Sequence, residues 1–312
     1  MPLNAQIQAI IDAAGAARPA DVAPIDFTTI SGADFRATFV PPAPSAAPVV
    51  LPRVEDLMIA GSRGPMAVRL YYPWGDGPFP ITLYFHGSAF VVGSPDLTDG
   101  ITRTLARDAG TLVVSVDYSL APEAPFPAAV DDAHAALAWV HDQAGEIGGI
   151  ATRIAVAGDS AGGTIAAVLA QESRHGGPPV RHQLLFYPVL DCAFDTPSYQ
   201  ANAEDPFLSR NMMRWAWRQY LPDPGLAAQV RASPLRQTDL AGVPPATIFT
   251  AEYDVLRDEG EAYAAALEKA GVAVTLKRWP GQVHAFLLMQ GAVDDADIAL
   301  GEAAAALRRA LA

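Results

Sequence analysis

Gly158-Asp159-Ser160-Ala161-Gly162-Gly163 is the segment of this 312-residue chain whose residue types and spacing point most directly to chemistry. It follows an apolar run, 153–157, that reads as a strand, and it opens a stretch, 161–174, that reads as a helix. A serine on such a turn stands clear of the sheet on strained backbone, and the glycines beside it let neighbouring chain pass close. The positive end of the helix lies behind Ser160, where an oxyanion would form. Glycines after a strand serve a plain turn equally well, so the segment needs partners before it means a nucleophile.

A serine hydroxyl is a weak nucleophile at neutral pH and needs a base, which in turn needs an orienting group. Of six histidines, His284 has the best position. It lies in Pro280-Gly281-Gln282-Val283-His284-Ala285-Phe286, just after the last expected strand, and such loops are where ligands meet parallel sheets. His134 and His141 read as facing solvent or the sheet, and His175 and His182 as surface residues beside a Gly/Pro loop. Asp254 follows the strand 246–250 and is the expected acid. Its rivals are Asp258, which reads as a helix-starting carboxylate, and Asp191, one strand earlier. The order Ser160, Asp254, His284 is that of α/β-hydrolases. Chymotrypsin-type proteases share a G-D-S-G-G string, but they place histidine first and carry disulfides, whereas Cys192 is the single cysteine here.

A fourth piece, His86-Gly87-Ser88-Ala89-Phe90-Val91-Val92-Gly93, follows the strand 81–85. That is the place for an oxyanion loop, and the amides of Gly87, Ser88 and Ala161 are the expected donors. Asp159 is expected to stiffen the turn rather than react.

These groups need a frame. Strands are expected at 54–60, 66–72, 81–85, 111–117, 153–157, 183–187, 246–250 and 273–278, with the first two forming a hairpin. Helical stretches at 96–108, 127–143, 161–174, 258–270 and 293–311 alternate with the later strands. Uniformly apolar strands between amphipathic helices imply a mostly parallel sheet covered on both faces. Residues 3–14 read as a short amphipathic helix and 40–52 as a Pro/Ala-rich loop. Between 191 and 234 no strand is expected. A helix there carries Met212, Met213, Trp215, Trp217 and Tyr220, and with the N-terminal helix it is expected to form a lid.

Composition bounds the rest. With 51% hydrophobic and 18% charged residues the chain is not disordered, and about three quarters of its unfolded surface should be buried. A net charge of −13 repels phosphate backbones and argues against a nucleic-acid partner. No Cys/His cluster has zinc spacing, so no metal is expected. No basic leader and no run of ~18 apolar residues is present, so neither a membrane span nor export is expected, and the cytoplasm is the default compartment.

Together the blocks at 86–93, 116–123 with 125–129, 158–163, 252–260 and 281–286 resemble the bacterial hormone-sensitive-lipase-like esterases of the α/β-hydrolase fold. The resemblance runs from about Leu51 to the C-terminus. It implies an eight-stranded, mostly parallel sheet with a helical cap, hydrolysis of carboxylic esters with short acyl chains, and no cofactor. Residues 1–50 would form the N-terminal part of the cap, 51–193 and 230–312 the catalytic core, and 194–229 the cap insertion. Dimers are common among similar proteins, so a homodimer is an expectation. Phe90, Met213 and Trp217 are the expected substrate contacts, and Trp215 and Trp217 are expected to limit acyl length. The chain departs from the family's H-G-G-G at Ser88 and Ala89, whose Cβ atoms should resist a positive φ. Val255 replaces a common proline. The same triad would serve an amidase, a lactonase or an acyltransferase, and the fold also includes ligand-binding members that have lost the catalytic base. His284 argues against the latter.

Overall fold

The computed structural model describes residues 2–17, 25–40 and 47–312. The chain starts with α1 (Ala5–Ala17) and α2 (Gly32–Thr38) and enters the sheet through the hairpin β1 (Arg53–Gly61) and β2 (Gly64–Tyr72). Strands and helices then alternate: β3 (Phe79–Phe85), α3 (Asp99–Ala109), β4 (Leu112–Val116), α4 (Ala128–Asp142), β5 (Gly149–Asp159), α5 (Ala161–Ser173) and β6 (Val180–Phe186). After β6 come the short α6 (Pro197–Ala201) and α7 (Arg210–Tyr220), then β7 (Ala246–Tyr253), α8 (Arg257–Lys269), β8 (Val274–Val283) and α9 (Asp294–Ala310). The strands form one sheet in the order β1-β2-β4-β3-β5-β6-β7-β8. β2 is antiparallel to both β1 and β4, and the remaining pairs are parallel.

The side-chain period of two explains the layers. On β3, Ile81, Leu83 and Phe85 face α4, α5 and α8, while Tyr84 faces α3 and α9. On β4, Leu112, Val114 and Val116 take the first side and Val113 the second. Every residue of β4 is buried, which is why its sequence, Leu-Val-Val-Ser-Val, shows no polar alternation. The edge hairpin alternates between exposed and covered residues instead. None of the helices among the described residues is long and apolar enough to cross a membrane.

The N-terminal helix expected to join the insertion as a lid lies elsewhere. α1 buries Ile7 in the cluster under α9, and the Asn4 amide donates to Gly281 O (2.9 Å). It is residues 25–40 that meet the insertion. Phe35 of α2 packs edge-on against Trp215 of α7 at 4.7 Å, and Trp215 Nε1 donates to Ile30 O (2.9 Å). Of the Pro/Ala-rich stretch, 41–46 lies outside the described residues.

The insertion leaves the sheet after β6, and Glu259 of α8 holds its root. Glu259 Oε2 accepts the amides of Leu190 (2.6 Å) and Asp191 (2.9 Å). Burial pushes this carboxyl up to about 8, against the pull of those two amides. A carboxyl raised above its ordinary 4.5 holds its proton more tightly in the fold than in the unfolded chain. Its contribution to stability is therefore present below 4.5 and is lost as pH rises to about 8. Glu259→Gln keeps a carbonyl oxygen for both amides and removes the titration. Thermal unfolding should show a higher midpoint than the parent at the alkaline end and a flatter profile across that window.

Candidate active site

β5 ends at Asp159 and α5 begins at Ala161, so Ser160 sits alone on the turn, at φ 52° and ψ −119°. A non-glycine residue there stores about 1–3 kcal/mol of strain. Gly162 makes the turn possible, because a Cβ on it would collide with the Phe85 carbonyl. The first turn of α5 is thereby pressed onto the end of β3. Ser160 is fixed by its own backbone: its amide donates to Phe186 O (2.9 Å), and its carbonyl accepts from Gly163 (3.0 Å) and Val189 (3.1 Å).

The three expected catalytic side chains come together. His284, directly after β8, places Nε2 3.0 Å from Ser160 Oγ and Nδ1 2.8 Å from Asp254 Oδ2. Asp254 is fully buried, and Ser160 and His284 are nearly so. A carboxylate accepts only, so the ring proton belongs on Nδ1 and the lone pair of Nε2 faces the hydroxyl. The other Asp254 oxygen accepts the Leu256 amide (2.9 Å), and Asn202 Nδ2 donates to Asp254 O (3.2 Å). The rivals are spent elsewhere. Asp258, in the first turn of α8, accepts the Ser198 amide (2.7 Å), and Asp191 pairs with Arg236 (2.6 Å). His182 is not on the surface: it is buried on β6 beside Thr247 Oγ1 (3.0 Å), and burial pushes it down to about 4.

The loop after β3 lies against the serine. A methyl on Gly87 would sit 3.0 Å from Ser160 Cβ. The Gly87 amide, however, already donates to Asp159 Oδ1 (3.0 Å), which also accepts from Tyr84 OH (2.8 Å). Of the three expected donors, Gly87 is therefore committed inward. Among the described residues the amides of Ser88 and Ala89 make no hydrogen bond, and Ala161, first in its helix, has no intrahelical acceptor. Ser88 and Ala89 do adopt positive φ, 87° and 59°, contrary to the resistance expected of their Cβ atoms, and Phe90 follows at 63°. Behind the loop, His86 stacks on Tyr118 at 4.4 Å, and burial pushes its ring down to about 4. Among the described residues no group of three or more His, Cys, Asp or Glu could hold a metal.

The chain matches the model of the alpha/beta hydrolase fold family over residues 82–288. It is 40% identical to Carboxylesterase NlhH of Mycobacterium tuberculosis over 300 residues, 93% of each chain. It is 39% identical to the Ethyl acetate hydrolase of Pseudomonas putida over 265 residues, 83% of each. Its structure superposes on the hyperthermophilic esterase of Pyrobaculum calidifontis with a TM-score of 0.88, at 37% identity and over the full length of both chains. The chain belongs to the hormone-sensitive-lipase-like esterases of the α/β-hydrolase fold. In this esterase Phe90, Met213 and Trp217 are buried in one cluster with Ala161 and Leu256. Phe90 lies flat on Tyr220 at 3.8 Å. Trp215, expected to limit acyl length, faces the other way, into a cluster with Phe35, Ala89 and Val92. A separate cleft of about 610 Å³ on the α3 side is lined by Arg69, Asp96, Asp99 and Arg103, which pair with one another.

Asp159 joins the esterase's elbow to the loop after β3, beyond the stiffening expected from sequence. Burial pushes its carboxyl up to about 6, while the hydrogen bonds from Tyr84 OH and the Gly87 amide pull it down. Asp159→Ala would leave the buried Tyr84 hydroxyl and Gly87 amide without their acceptor, each worth about 1–3 kcal/mol. Urea unfolding should show a loss of about 2–6 kcal/mol for Asp159→Ala and less than half of that for Asp159→Asn, which keeps one oxygen in place.

Proposed function

We propose that this esterase cleaves short-chain acyl esters through an acyl-enzyme on Ser160, with His284 as general base and Asp254 as its orienting acid. The single observation that carries the reading is the His284 ring spanning Ser160 Oγ and Asp254 Oδ2 at 3.0 and 2.8 Å. Ser160 Oγ attacks the ester carbonyl carbon while its proton passes to His284 Nε2. The carbonyl oxygen takes up the electron pair and is met by the amides of Ser88, Ala89 and Ala161. His284 returns the proton to the alkoxy oxygen as the C–O bond breaks, and the alcohol leaves. Water then repeats the sequence on the acyl-enzyme and releases the acid. Asp254 keeps the ring in the tautomer the reaction needs and stabilises the imidazolium.

What supports a short acyl preference is that Phe90, Met213 and Trp217, three large buried side chains, share one cluster with Ala161, the residue after the serine. In the same reading, residues 51–193 and 230–312 form the core, and the cap is the insertion 194–229 with residues 25–40 of the N-terminal segment, α1 being packed on the core instead. The enzyme is cytoplasmic, in keeping with Cys192 as the one cysteine. Its partners are the ester and a second copy of itself, which sedimentation velocity would reveal.

Turnover of p-nitrophenyl acetate should fall by about 10⁶ in Ser160→Ala and about 10⁴ in Asp254→Asn. Near-parental rates in Ser160→Ala would end the reading. A series of acyl esters of rising length separates the two tryptophans. Trp217→Ala should extend the accepted chain, whereas Trp215→Ala should leave the length profile unchanged and cost about 3–5 kcal/mol of stability.

A further inference from the structure

Among the described residues, Ser88, Ala89 and Phe90 form the one run of non-glycine residues at positive φ, 87°, 59° and 63°. Each such residue costs about 1–2 kcal/mol over a right-handed one, and strain of this kind persists only where the surroundings over-determine it. The turn itself supplies little, since the Val91 and Val92 amides both reach the Ser88 carbonyl at 3.2 Å. Its start is fixed by Asp159 at Gly87. Its end is fixed from a distant part of the chain. Arg36 of α2 donates Nε to Val91 O (2.9 Å) and Nη2 to Ala121 O (2.9 Å). Ala121 in turn donates its amide to Phe90 O (2.9 Å). One planar guanidinium thus ties together the two strips of backbone that flank the strained turn, a geometry that suits a fork of donors and not a point charge. The remaining donors pair with the exposed Glu123 at 2.8 and 3.0 Å. The neighbouring Phe35 packs in one cluster with Ala89, Val91 and Val92.

We propose that Arg36 is a positioning residue that holds the Ser88–Phe90 turn in its left-handed form and so keeps the turn's free amides aimed at the oxyanion. This rests on the oxyanion role given above to Ser88 and Ala89. The Cβ atoms at 88 and 89 create the need for the clamp. Glycine adopts positive φ without that strain, so with glycine at both positions the turn depends less on the clamp, only Phe90 remaining as a non-glycine residue at positive φ.

The test compares Arg36→Ala, Arg36→Lys and Glu123→Gln in the parent and in the Ser88→Gly/Ala89→Gly background. The readouts are kcat and KM on p-nitrophenyl acetate, with thermal unfolding run alongside. In the parent, Arg36→Ala should lower kcat by about tenfold to a hundredfold, short of losing a donor outright, with KM changed less than about threefold. Arg36→Lys, a single-point donor, should fall between the two. Glu123→Gln should leave kcat within about twofold, as expected of an exposed pair. In the glycine background the Arg36→Ala loss should shrink to less than about threefold. Equal losses in the two backgrounds, or a lowered unfolding midpoint with kcat untouched, would overturn the positioning role. So would a Glu123→Gln loss as large as that of Arg36→Ala. If the parent itself shows no turnover that depends on Ser160, the esterase reading fails and takes this proposal with it. A parent that turns over but ignores Arg36 sinks the proposal alone.

Discussion

An imidazole held between a serine hydroxyl and a buried carboxylate is the contact that the rest of this structure serves. Its three members leave the sheet from different strands. Ser160 follows β5, Asp254 follows β7 and His284 follows β8. In the sheet order β5-β6-β7-β8, the first and last are three steps apart, about 14 Å at ordinary strand spacing. The ring must therefore be carried back across two strands. β8 bends to do so: the register between β7 and β8 shifts between Ala251 and Tyr253, and Glu252 accepts the Gly281 amide at 2.7 Å. Tyr187, at the end of the intervening β6, fills the space beneath and meets the His284 ring edge-on at 4.9 Å. A parallel sheet is required because only then do all three strand ends lie on one rim.

Holding that contact means holding strain. Ser160, Tyr187, Ala285 and the run Ser88–Phe90 all take positive φ, and all border the triad or belong to the loop after β3. At about 1–2 kcal/mol each this is several kcal/mol that the surrounding packing must offset. The buried clusters around the site are large enough to do it. One gathers Phe90, Ala161, Met213 and Trp217, and another gathers Ala89, Val91, Trp215 and Phe35. The second contains Phe35 of α2, so part of the support for the loop after β3 comes from more than fifty residues upstream.

How much of this could be read from the sequence depended on the range of each signal. Strands and helices announce themselves through periodicity within a dozen residues, so the α/β layering and the eight strands were legible. The order of Ser160, Asp254 and His284 was legible because each follows an apolar strand. Long-range hydrogen bonds leave no such trace. Nothing beside Gly87 says that its amide is taken by Asp159, 72 residues away. The burial of His182 depends on β7 and its Thr247, which come 65 residues later. Trp215 and Trp217 are two apart on one helix and so face different sides, yet only the folded partners say which side packs with Ala161 and which with α2. α2 went unseen even though it has a local signal: Ser31 caps it by accepting the Asp34 amide at 3.0 Å. At seven residues it is too short to show a helical period.

The segments outside the sheet are more than a cover, because each catalytic loop takes a hydrogen bond from one of them. The acid loop is held by the insertion: Ser198 Oγ donates to Val255 O (2.7 Å), and Asn202 donates to Asp254 O (3.2 Å). The histidine loop is held by the N-terminus, through the Asn4 amide on Gly281 O (2.9 Å). The turn after β3 takes the Arg36 Nε bond on Val91 O (2.9 Å). Lifting the insertion as a rigid lid would break the bond to Asp254 O and unpack Trp217 from Phe90 in the same motion. A substrate that needed such a lift would meet a disassembled acid loop. A route to Ser160 that keeps these bonds leaves the insertion in place, with Phe90, Met213 and Trp217 still packed in one cluster beside Ala161.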